Sequence, residues 1–514
     1  MIIVYHQKNK VVEVETNDAK VPFEKNSITE NLIELAEKFP QTLIIWCHIS
    51  FRSNLNILEF QNIFHHEKIM ASYNLSSNYF ISNEIGYVET SPFLNINKKV
   101  NYPTWQMSSH VGGVHASILL MLKNEVQKDK NFDYFLNSIA KLAMPLGLFC
   151  YSEPMLIKEF SESLSKQSES KFLLFRFVKQ HYKTSWVFLL FLNLFLYERK
   201  FTVFPLLFSL FYKKRNLDSS ILEQIEIQSS KKVVEKGTLD IIIPTIGRKK
   251  YLYDFLKDLS LQSFLPQNVI IVEQNPVNES VSDLSYIEKE SWPFFIKHIF
   301  THKTGACNAR NLALKNVTSE WVFMADDDIR IDYGFLKQAF ELIKKEGLEQ
   351  VTFGCYASDY PQSKKNKQKS QFTSFGSGCS ILKTKNIENI SYNTNFEFGY
   401  GEDSDYGMQL RNLGFDITYL PKPEIIHLKA PIGGFRGKLT LPWQEDKIQP
   451  KPSPTVMLYN LLNLTKEQLN SYKTTLFFKF YSVQKIKNPF RYYANYQRQW
   501  NKSLYWANKL NSQK

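Results

Sequence analysis

The sequence predicts an α/β protein with more than one domain. Strand-like and helix-like segments alternate from Leu239 onward, a rhythm typical of a mostly parallel sheet. A similar mixture of strands and helices precedes it in residues 1–165. The chain has 514 residues, of which 43% are hydrophobic, so it exceeds one ordinary domain and can bury more than one core. We divide it into four parts: an α/β domain at 1–165, an apolar helical linker at 166–236, a second α/β domain at 237–445, and a basic aromatic helical extension at 446–514.

The first part begins with two strands and a helix. The alternation in VYHQKNKVVEVE predicts a strand pair with a turn at Asn9. ITENLIELAEKF has helical spacing, with Ser27 or Thr29 as its N-cap. Further on, TLIIWCHIS predicts a buried strand, and NFDYFLNSIAKLAMPLGLFCYSEP predicts a helix followed by a strand.

Two apolar bursts separated by Glu198, Arg199 and Lys200 occupy residues 170–215. Neither reaches the roughly 20 residues of a membrane-spanning helix. Two interpretations stay open: a helical pair lying in a membrane interface, or a buried linker that packs one domain on the other.

The net charge of +13 suggests an anionic partner, and its distribution places the contact in the tail. Residues 451–514 contain eleven basic residues and one acid, Glu467. No recognised nucleic-acid-binding module accompanies them, so we expect no specific nucleic acid. At Thr465 and Gln468 the tail carries a capping-box pattern, which predicts a helix start.

Cysteine usage argues against disulfides and zinc sites. The five cysteines are scattered, odd in number and without metal-ligand spacing, as is typical of a reducing cytosol. The start, MIIVYHQKNK, lacks the features of a signal peptide. We therefore expect a cytoplasmic protein.

In the second α/β domain, polar residues gather at the ends of the predicted strands. LDIIIPTIG ends at Pro244 and Thr245, NVIIVEQNP at Glu273, and EWVFMADDD at three adjacent acids. Ligands of parallel sheets bind at this carboxyl edge. Hard divalent cations take carboxylate oxygens, so a metal is one explanation of the acids; a solvated Asp-rich turn is the other.

A second acidic stretch, GEDSDYGMQLRNLGF, favours a metal over a solvated turn as the explanation of the three adjacent acids. Glu402, Asp403 and Asp405 precede a helix that Gly414 ends, and a strand then leads to His427. From Leu239 to Lys438 the sequence here resembles the family 2 glycosyltransferases with a GT-A fold. The matching pieces, in the family's order, are IIIPTIGR, GACNARNLAL, WVFMADDD, GEDSDYGMQLRNLGF and the closing strand with His427.

The resemblance implies a nucleotide-sugar donor, a divalent metal and an inverting reaction. Asp326, Asp328 and His427 would hold the metal, Mn²⁺ or Mg²⁺, and the imidazole favours Mn²⁺. Asp403 would be the general base toward the acceptor hydroxyl, and Glu402 would hydrogen-bond the acceptor. Acids that merely favour a helix N-terminus are the competing explanation.

The resemblance also implies a set of donor-binding residues. Arg310 is equally well explained as a helix-surface arginine, and the loop after His427 as a flexible loop with solvated charges. The sequence VEQNP departs from the family pattern, which leaves the nucleobase open. The predicted donor-binding residues are Pro244, Thr245, Arg248, Glu273, Arg310, Asp326, Asp327, Lys429 and Arg436.

The first domain loosely repeats the order of the second. IIWCHIS, HVGGVHASILL and FDYFLNSIAKLAMPLGLFCYSEP correspond to WVFMADDD, SGCSILK and YGEDSDYGMQLRNLGFDITYLP, but without the acids. A degenerate GT-A-like domain and an unrelated α/β domain both remain open. His48, His110 and His115 are expected to be core or surface histidines rather than metal ligands.

The leading hypothesis is an inverting, metal-dependent glycosyltransferase acting on a glycan or lipid-linked acceptor, cytoplasmic and peripheral to the inner face of the cell membrane. One rival is a nucleotidyltransferase, which needs neither the GEDSD stretch nor His427. The other is a non-catalytic, membrane-associated glycan-binding protein.

Overall fold

The computed structural model describes residues 1–16, 19–158, 170–431 and 441–512. Within them the chain forms two compact units, each with its own mixed sheet. Unit 1 comprises residues 1–231 and 464–476, and unit 2 comprises residues 232–463 and 477–514. This grouping places residues 170–231 of the predicted apolar linker in unit 1 and residues 232–236 in unit 2; the four-part division stays a prediction.

Unit 1 is built on a seven-stranded sheet of order β2-β1-β3-β6-β4-β7-β5. The hairpin predicted at Asn9 and the helix predicted after Ser27 are both present. The strands are β1 (Ile2–Gln7), β2 (Lys10–Thr16), β3 (Leu43–His48), β4 (Ile69–Tyr73), β5 (Tyr102–Pro103), β6 (Val111–His115) and β7 (Phe149–Ser152). The helices are α1 (Ile28–Lys38), α2 (Phe60–Ile63), α3 (Ala116–Val126), α4 (Phe132–Ala143), α5 (Lys171–His181), α6 (Thr184–Glu198) and α7 (Val203–Ser209).

The apolar segment folds as three helices, α5 to α7, rather than as a pair. Leu174, Phe177 and Leu190 join the core of unit 1, while the side chains of Phe201, Phe204 and other residues near α7 are exposed. Among the described residues, no helix has both the length and the apolar character needed to span a bilayer.

Unit 2 is built on a nine-stranded sheet of order β10-β9-β8-β11-β15-β13-β16-β12, with β14 also paired to β16. The strands are β8 (Leu239–Thr245), β9 (Asn268–Gln274), β10 (Phe295–Thr301), β11 (Trp321–Ala325), β12 (Ile329–Arg330), β13 (Gln350–Ala357), β14 (Ser370–Gln371), β15 (Cys379–Lys383) and β16 (Thr418–His427). The helices are α8 (Lys249–Ser260), α9 (Tyr286–Lys289), α10 (Ala306–Leu314), α11 (Phe335–Glu346) and α12 (Glu402–Asn412).

The expectation of a mostly parallel sheet is correct only for the first half of unit 2. β10, β9, β8 and β11 are mutually parallel, whereas β15 is antiparallel to both of its neighbours, β11 and β13. The periodic pattern of a strand does not encode its direction, which depends on the pairing partner. The buried runs of β8 and β11 lie in the middle of the sheet, where both faces are covered.

The C-terminal extension is helical, as predicted. It contains α13 (Pro454–Asn463), α14 (Lys466–Val483) and α15 (Pro489–Asn511). The capping box is formed by reciprocal bonds: the Thr465 amide donates to Gln468 Oε1, and the Gln468 amide donates to Thr465 Oγ1.

The two sheets share a six-strand arrangement. In unit 1, β1 is parallel to β3, followed by antiparallel β6 and then β4, β7 and β5. In unit 2, the strands in the same spatial order and directions are β8, β11, β15, β13, β16 and β14. The order along the chain also agrees, which favours the GT-A-like hypothesis for the first domain over an unrelated α/β fold.

Candidate active site

The candidate site lies at the edge of the unit 2 sheet where β8 and β11 end. Asp326, Asp327 and Asp328 follow β11 directly, and β12 begins at Ile329. β12 pairs with β16 in a register that sets Ile329 opposite His427, so the closing strand delivers its histidine beside the acids. The sheet topology alone thus brings together residues separated by about 100 positions in the chain.

Asp327 is held by the chain itself. Its Oδ2 accepts a hydrogen bond of 2.6 Å from Thr245 Oγ1, and its Oδ1 accepts one of 2.7 Å from Arg248. Burial raises the pKa of Asp327 to about 6 in spite of the nearby Arg248 guanidinium. A hydrogen-bonded network therefore joins the ends of β8 and β11. It consists of Thr245, Arg248 and Asp327, all of which are predicted to bind the donor.

Asp326, Asp328 and His427 form a cluster that fits a divalent metal. One ligand atom from each lies within 4.8 Å of the other two. Asp328 Oδ1 is buried without a hydrogen-bond partner and is 3.3 Å from His427 Nε2, while the Ala430 amide donates to Asp328 Oδ2 over 2.8 Å. A buried carboxylate oxygen whose nearest partner is an imidazole 3.3 Å away can take a cation as a further partner. Two carboxylates and an imidazole suit Mn²⁺ or Mg²⁺.

Asp326 is the most exposed of the three acids and is paired with Arg310. The guanidinium Nη2 is 3.0 Å from Asp326 Oδ1. Arg310 projects from α10 and is 8% exposed, so it is not a solvated helix-surface arginine. On the other side, a Cβ added to Gly378 would lie 2.1 Å from Asp326 Oδ2. The glycine immediately before β15 therefore makes room for the Asp326 carboxylate.

Asp403 lies at the same edge, as the second residue of α12. Ser377 Oγ donates a short hydrogen bond to Asp403 Oδ1, and Tyr392 donates to Ser377 Oγ over 2.7 Å. Burial raises the pKa of Asp403, although Arg310 and the Ser377 bond oppose the shift. A carboxylate with a raised pKa at a fixed position has the properties of a general base.

Glu402 precedes Asp403 and shares its electrostatic environment. Burial, together with repulsion from Asp403, raises the pKa of Glu402 to about 7. A carboxyl group with this pKa can take up or release a proton near neutral pH, and the charge on Asp403 affects how readily it does so.

Glu397 was not predicted from the sequence, yet it organises the site. Its two carboxylate oxygens accept hydrogen bonds of 3.0 and 2.9 Å from the amides of Cys307 and Asn308, in the first turn of α10. The contact is close, since a Cβ on Gly305 would meet the Glu397 carboxylate at 2.3 Å. Because the partners are about 90 residues apart, no local pattern could have revealed this cap. Tyr392, which donates to Ser377 15 residues away, was also not predicted.

The remaining predicted residues lie at the margin. Glu273 is opposite Thr245 in the sheet, but its oxygens contact His298 and the Asp283 amide. Pro244 immediately precedes Thr245 in β8. Lys429 is exposed, between two residues whose amides bind Asp328. Arg436 lies outside the described residues.

Comparison with known proteins agrees with this geometry. Residues 240–402 match the family model "Glycosyl transferase family 2". The match confirms the resemblance predicted from the motifs and covers the strand ends, the acids and the start of α12. Unit 2 has a GT-A arrangement. Its parallel strands end beside the acids at β11, and the next strand in the sheet, β15, is antiparallel to β11.

Individual relatives are more distant. A GalNAc(5)-diNAcBac-PP-undecaprenol beta-1,3-glucosyltransferase of Campylobacter jejuni is 24% identical over 189 residues, 34% of this chain and 59% of that protein. Staphylococcus aureus TarS 1–349 is 21% identical with a TM-score of 0.32, covering 37% of this chain and 60% of that one. Its complex with UDP-GlcNAc gives 19% identity and a TM-score of 0.37, covering 52% and 79% of the two chains. The chain thus spans about three fifths of the curated relative and of the first of these structures.

Proposed function

We propose that unit 2, which carries a family 2 glycosyltransferase domain at residues 240–402, is an inverting, metal-dependent glycosyltransferase. It would move a sugar from a nucleotide-diphosphate donor to a hydroxyl of a glycan or lipid-linked acceptor. The observation that carries the proposal is that two groups meet at one sheet edge: the cluster of Asp326, Asp328 and His427, and the half-buried Asp403.

On the donor side, Asp326, Asp328 and His427 would hold the metal. When bound, such an ion neutralises charge on the donor diphosphate and so favours its departure. Thr245 and Arg248 support the site indirectly, because they fix Asp327 and with it the turn that carries the ligands. Lys429 is exposed at the same edge and can contact phosphate oxygens.

On the acceptor side, Asp403 would accept the proton of the acceptor hydroxyl. The acceptor oxygen then bonds to the anomeric carbon as the bond between that carbon and the diphosphate oxygen breaks. The configuration at the anomeric carbon inverts, and the nucleoside diphosphate leaves. Ser377 and Tyr392 hold Asp403 in place, and Arg310 favours its charged form.

The test is a panel of nucleotide sugars incubated with the protein and Mn²⁺ or Mg²⁺, read by released nucleoside diphosphate. We expect metal-dependent turnover of at least one donor, which Asp328→Asn abolishes because it removes a charged ligand. Asp332→Asn is the matched control, since Asp332 is an exposed acid four residues further on.

Failure of every donor to turn over or bind would contradict the proposal. Release of pyrophosphate instead of a nucleoside diphosphate would favour a nucleotidyltransferase.

We further propose that unit 1 contacts an anionic bilayer surface, peripheral to the inner face of the cell membrane. Phe201, Phe204 and Phe211 expose 74%, 70% and 87% of their surface, and Leu207 and Phe208 about half. Lys213 and Lys214 follow directly and are exposed. Exposed aromatic rings next to lysines suit insertion into lipid headgroups. The undecaprenol named in the Campylobacter relative is consistent with an acceptor of this kind.

This contact is tested by sedimentation with phosphatidylglycerol-containing vesicles. Binding should fall several-fold in Phe204→Ser/Phe211→Ser, which removes exposed apolar surface, and in high salt, which screens the lysines. Leu58→Ser, which alters another exposed apolar residue of unit 1, should leave binding unchanged. Equal vesicle binding by the wild type, Phe204→Ser/Phe211→Ser and Leu58→Ser would mean that the segment around α7 is an ordinary linker.

A further inference from the structure

Unit 1 contains a polar cleft of about 340 Å³ that the proposed reaction does not use. It opens where β1 and β3 end, beside the residues before β6 and the start of α4. The lining is largely uncharged: four asparagines, four serines, three histidines and three aromatic rings, with Lys8 and Asp133 as its charged residues.

The cleft occupies the position in unit 1 that the candidate active site occupies in unit 2. In unit 2, Ala325 at the end of β11 pairs with Cys379; in unit 1, Cys47 near the end of β3 pairs with Val111. One residue further along β3, His48 takes the place of Asp326. One residue before β6, His110 takes the place of Gly378.

The same register aligns Ser109 with Ser377, and both serines bind an aspartate. Ser109 donates through its amide and through its hydroxyl to Asp133, each over 2.9 Å. Asp133 is the second residue of α4, as Asp403 is the second residue of α12. Unit 1 therefore keeps the serine–aspartate pair of the acceptor side, a feature that the sequence comparison did not reveal.

Histidines line the part of the cleft that corresponds to the acidic cluster of unit 2. Burial lowers the pKa of His6 and of His110 to about 4 and also lowers that of His48, so all three are neutral at pH 7. Among the described residues the only group of three or more ligating side chains is that of unit 2. The described residues of this cleft therefore offer no acidic cluster to hold a metal-bound diphosphate, and Lys8 is the only cation in its lining.

The walls are preformed. Asn74 Nδ2 donates to the Asn78 carbonyl over 2.8 Å, and the Ser76 amide donates to Asn74 Oδ1 over 3.0 Å. Lys98 lies 5.0 Å from the centroid of the Tyr79 ring and donates to the Asn74 carbonyl. His6 is 3% exposed, and its Nδ1 has no hydrogen-bond partner. A rigid wall lowers the ordering cost of binding a small ligand.

We propose that this cleft is a non-catalytic site for an uncharged saccharide, one or two sugar units of a glycan. Amides, hydroxyls and neutral imidazoles match sugar hydroxyls, which both donate and accept, and the aromatic rings offer packing for the apolar face of a pyranose. The volume is at the lower end of the roughly 300–1,000 Å³ typical of small-molecule sites. The inference rests on unit 1 alone and stands whether or not unit 2 transfers sugar.

The test is saturation-transfer NMR of the full-length protein with glucose, galactose, N-acetylglucosamine and its β-1,4 disaccharide, and with UDP as a charged probe. We expect binding of at least one saccharide that UDP does not displace. Asn78→Trp should weaken it at least about tenfold, because the indole fills the cleft while the Asn78 backbone carbonyl still bonds Asn74.

Ser77→Trp is the matched control, since it adds the same ring at an exposed neighbour outside the cleft and should leave binding intact. Asp328→Asn should also leave it intact, which separates this site from the one in unit 2. Three results would overturn the proposal: no saccharide binding, binding lost in Asp328→Asn but kept in Asn78→Trp, or displacement of the saccharide by UDP. Circular dichroism of Asn78→Trp excludes loss of fold as the cause.

Discussion

Unit 1 and unit 2 build the same six-strand arrangement but present opposite chemistry at the same sheet edge. Where unit 2 has Asp326 at the end of a central strand, unit 1 has His48; where unit 2 has Gly378, unit 1 has His110. The serine–aspartate pair is common to both. The comparison teaches that the sheet sets the positions of the side chains, while a few residues at the strand ends decide between an acidic cluster and a largely uncharged cleft.

The largest expected effect comes from the shared aspartate position in unit 2. Asp403→Asn should lower sugar transfer by about 10²–10⁴-fold, because an amide cannot accept the acceptor's proton. Donor binding, measured by calorimetry with the nucleoside diphosphate and metal, should stay within about twofold, since the metal cluster is untouched.

The control for Asp403→Asn is Asp332→Asn, which changes an exposed acid of the same unit and should transfer normally. Transfer preserved in Asp403→Asn would remove this residue from the role of base. The two units would then share the strand arrangement, but the position of Asp403 would no longer mark a functional difference between them.

A smaller effect is expected at the glycine that unit 1 replaces by histidine. In Gly378→Ala the new Cβ would meet Asp326 Oδ2 at 2.1 Å, so the carboxylate must move. We expect metal affinity, measured by Mn²⁺ titration with electron paramagnetic resonance, to fall by roughly 10–100-fold, the range seen when the support of a ligand is disturbed.

Gly334→Ala is a suitable control for Gly378→Ala. There an added Cβ meets only the flexible end of Gln338. Equal metal affinity in wild type and Gly378→Ala would mean that Asp326 is not constrained by this contact.

The smallest effect is expected at Arg310, whose charge favours the ionised form of Asp403. Arg310→Gln should raise the pKa of Asp403 further, so the acid limb of the pH–rate profile moves to higher pH and the rate on that limb falls. The sign follows because the base acts only when deprotonated, and loss of the cation makes deprotonation harder. A limb that moves to lower pH, or does not move, would contradict this electrostatic role; Arg310→Lys should restore it in part.

The sequence located the strands and helices of unit 2 and its acidic sheet edge, but not the contacts between residues that are distant in the chain. Strand and helix periodicity located the elements, and the acids after β11 and before α12 identified the edge. Contacts between residues that are distant in the chain could not be predicted from the sequence. Asp327, predicted to bind the donor, contacts Thr245 and Arg248, while the cap at Glu397 and the bond between Ser109 and Asp133 join residues 90 and 24 positions apart in the chain. Such pairings are set by tertiary packing, which local patterns do not encode.

The position of Glu397 has a consequence for the order in which substrates would bind in the proposed reaction. Its carboxylate joins the start of α10, the helix that carries Arg310, to the loop that leads into α12 and Asp403. A donor phosphate that contacts the Arg310 guanidinium would shift the start of α10 and, through the Glu397 carboxylate, the position of Asp403. We therefore expect ordered kinetics, in which the donor binds first and tightens the acceptor site, and in which Glu397→Gln weakens that dependence of the acceptor KM on donor concentration.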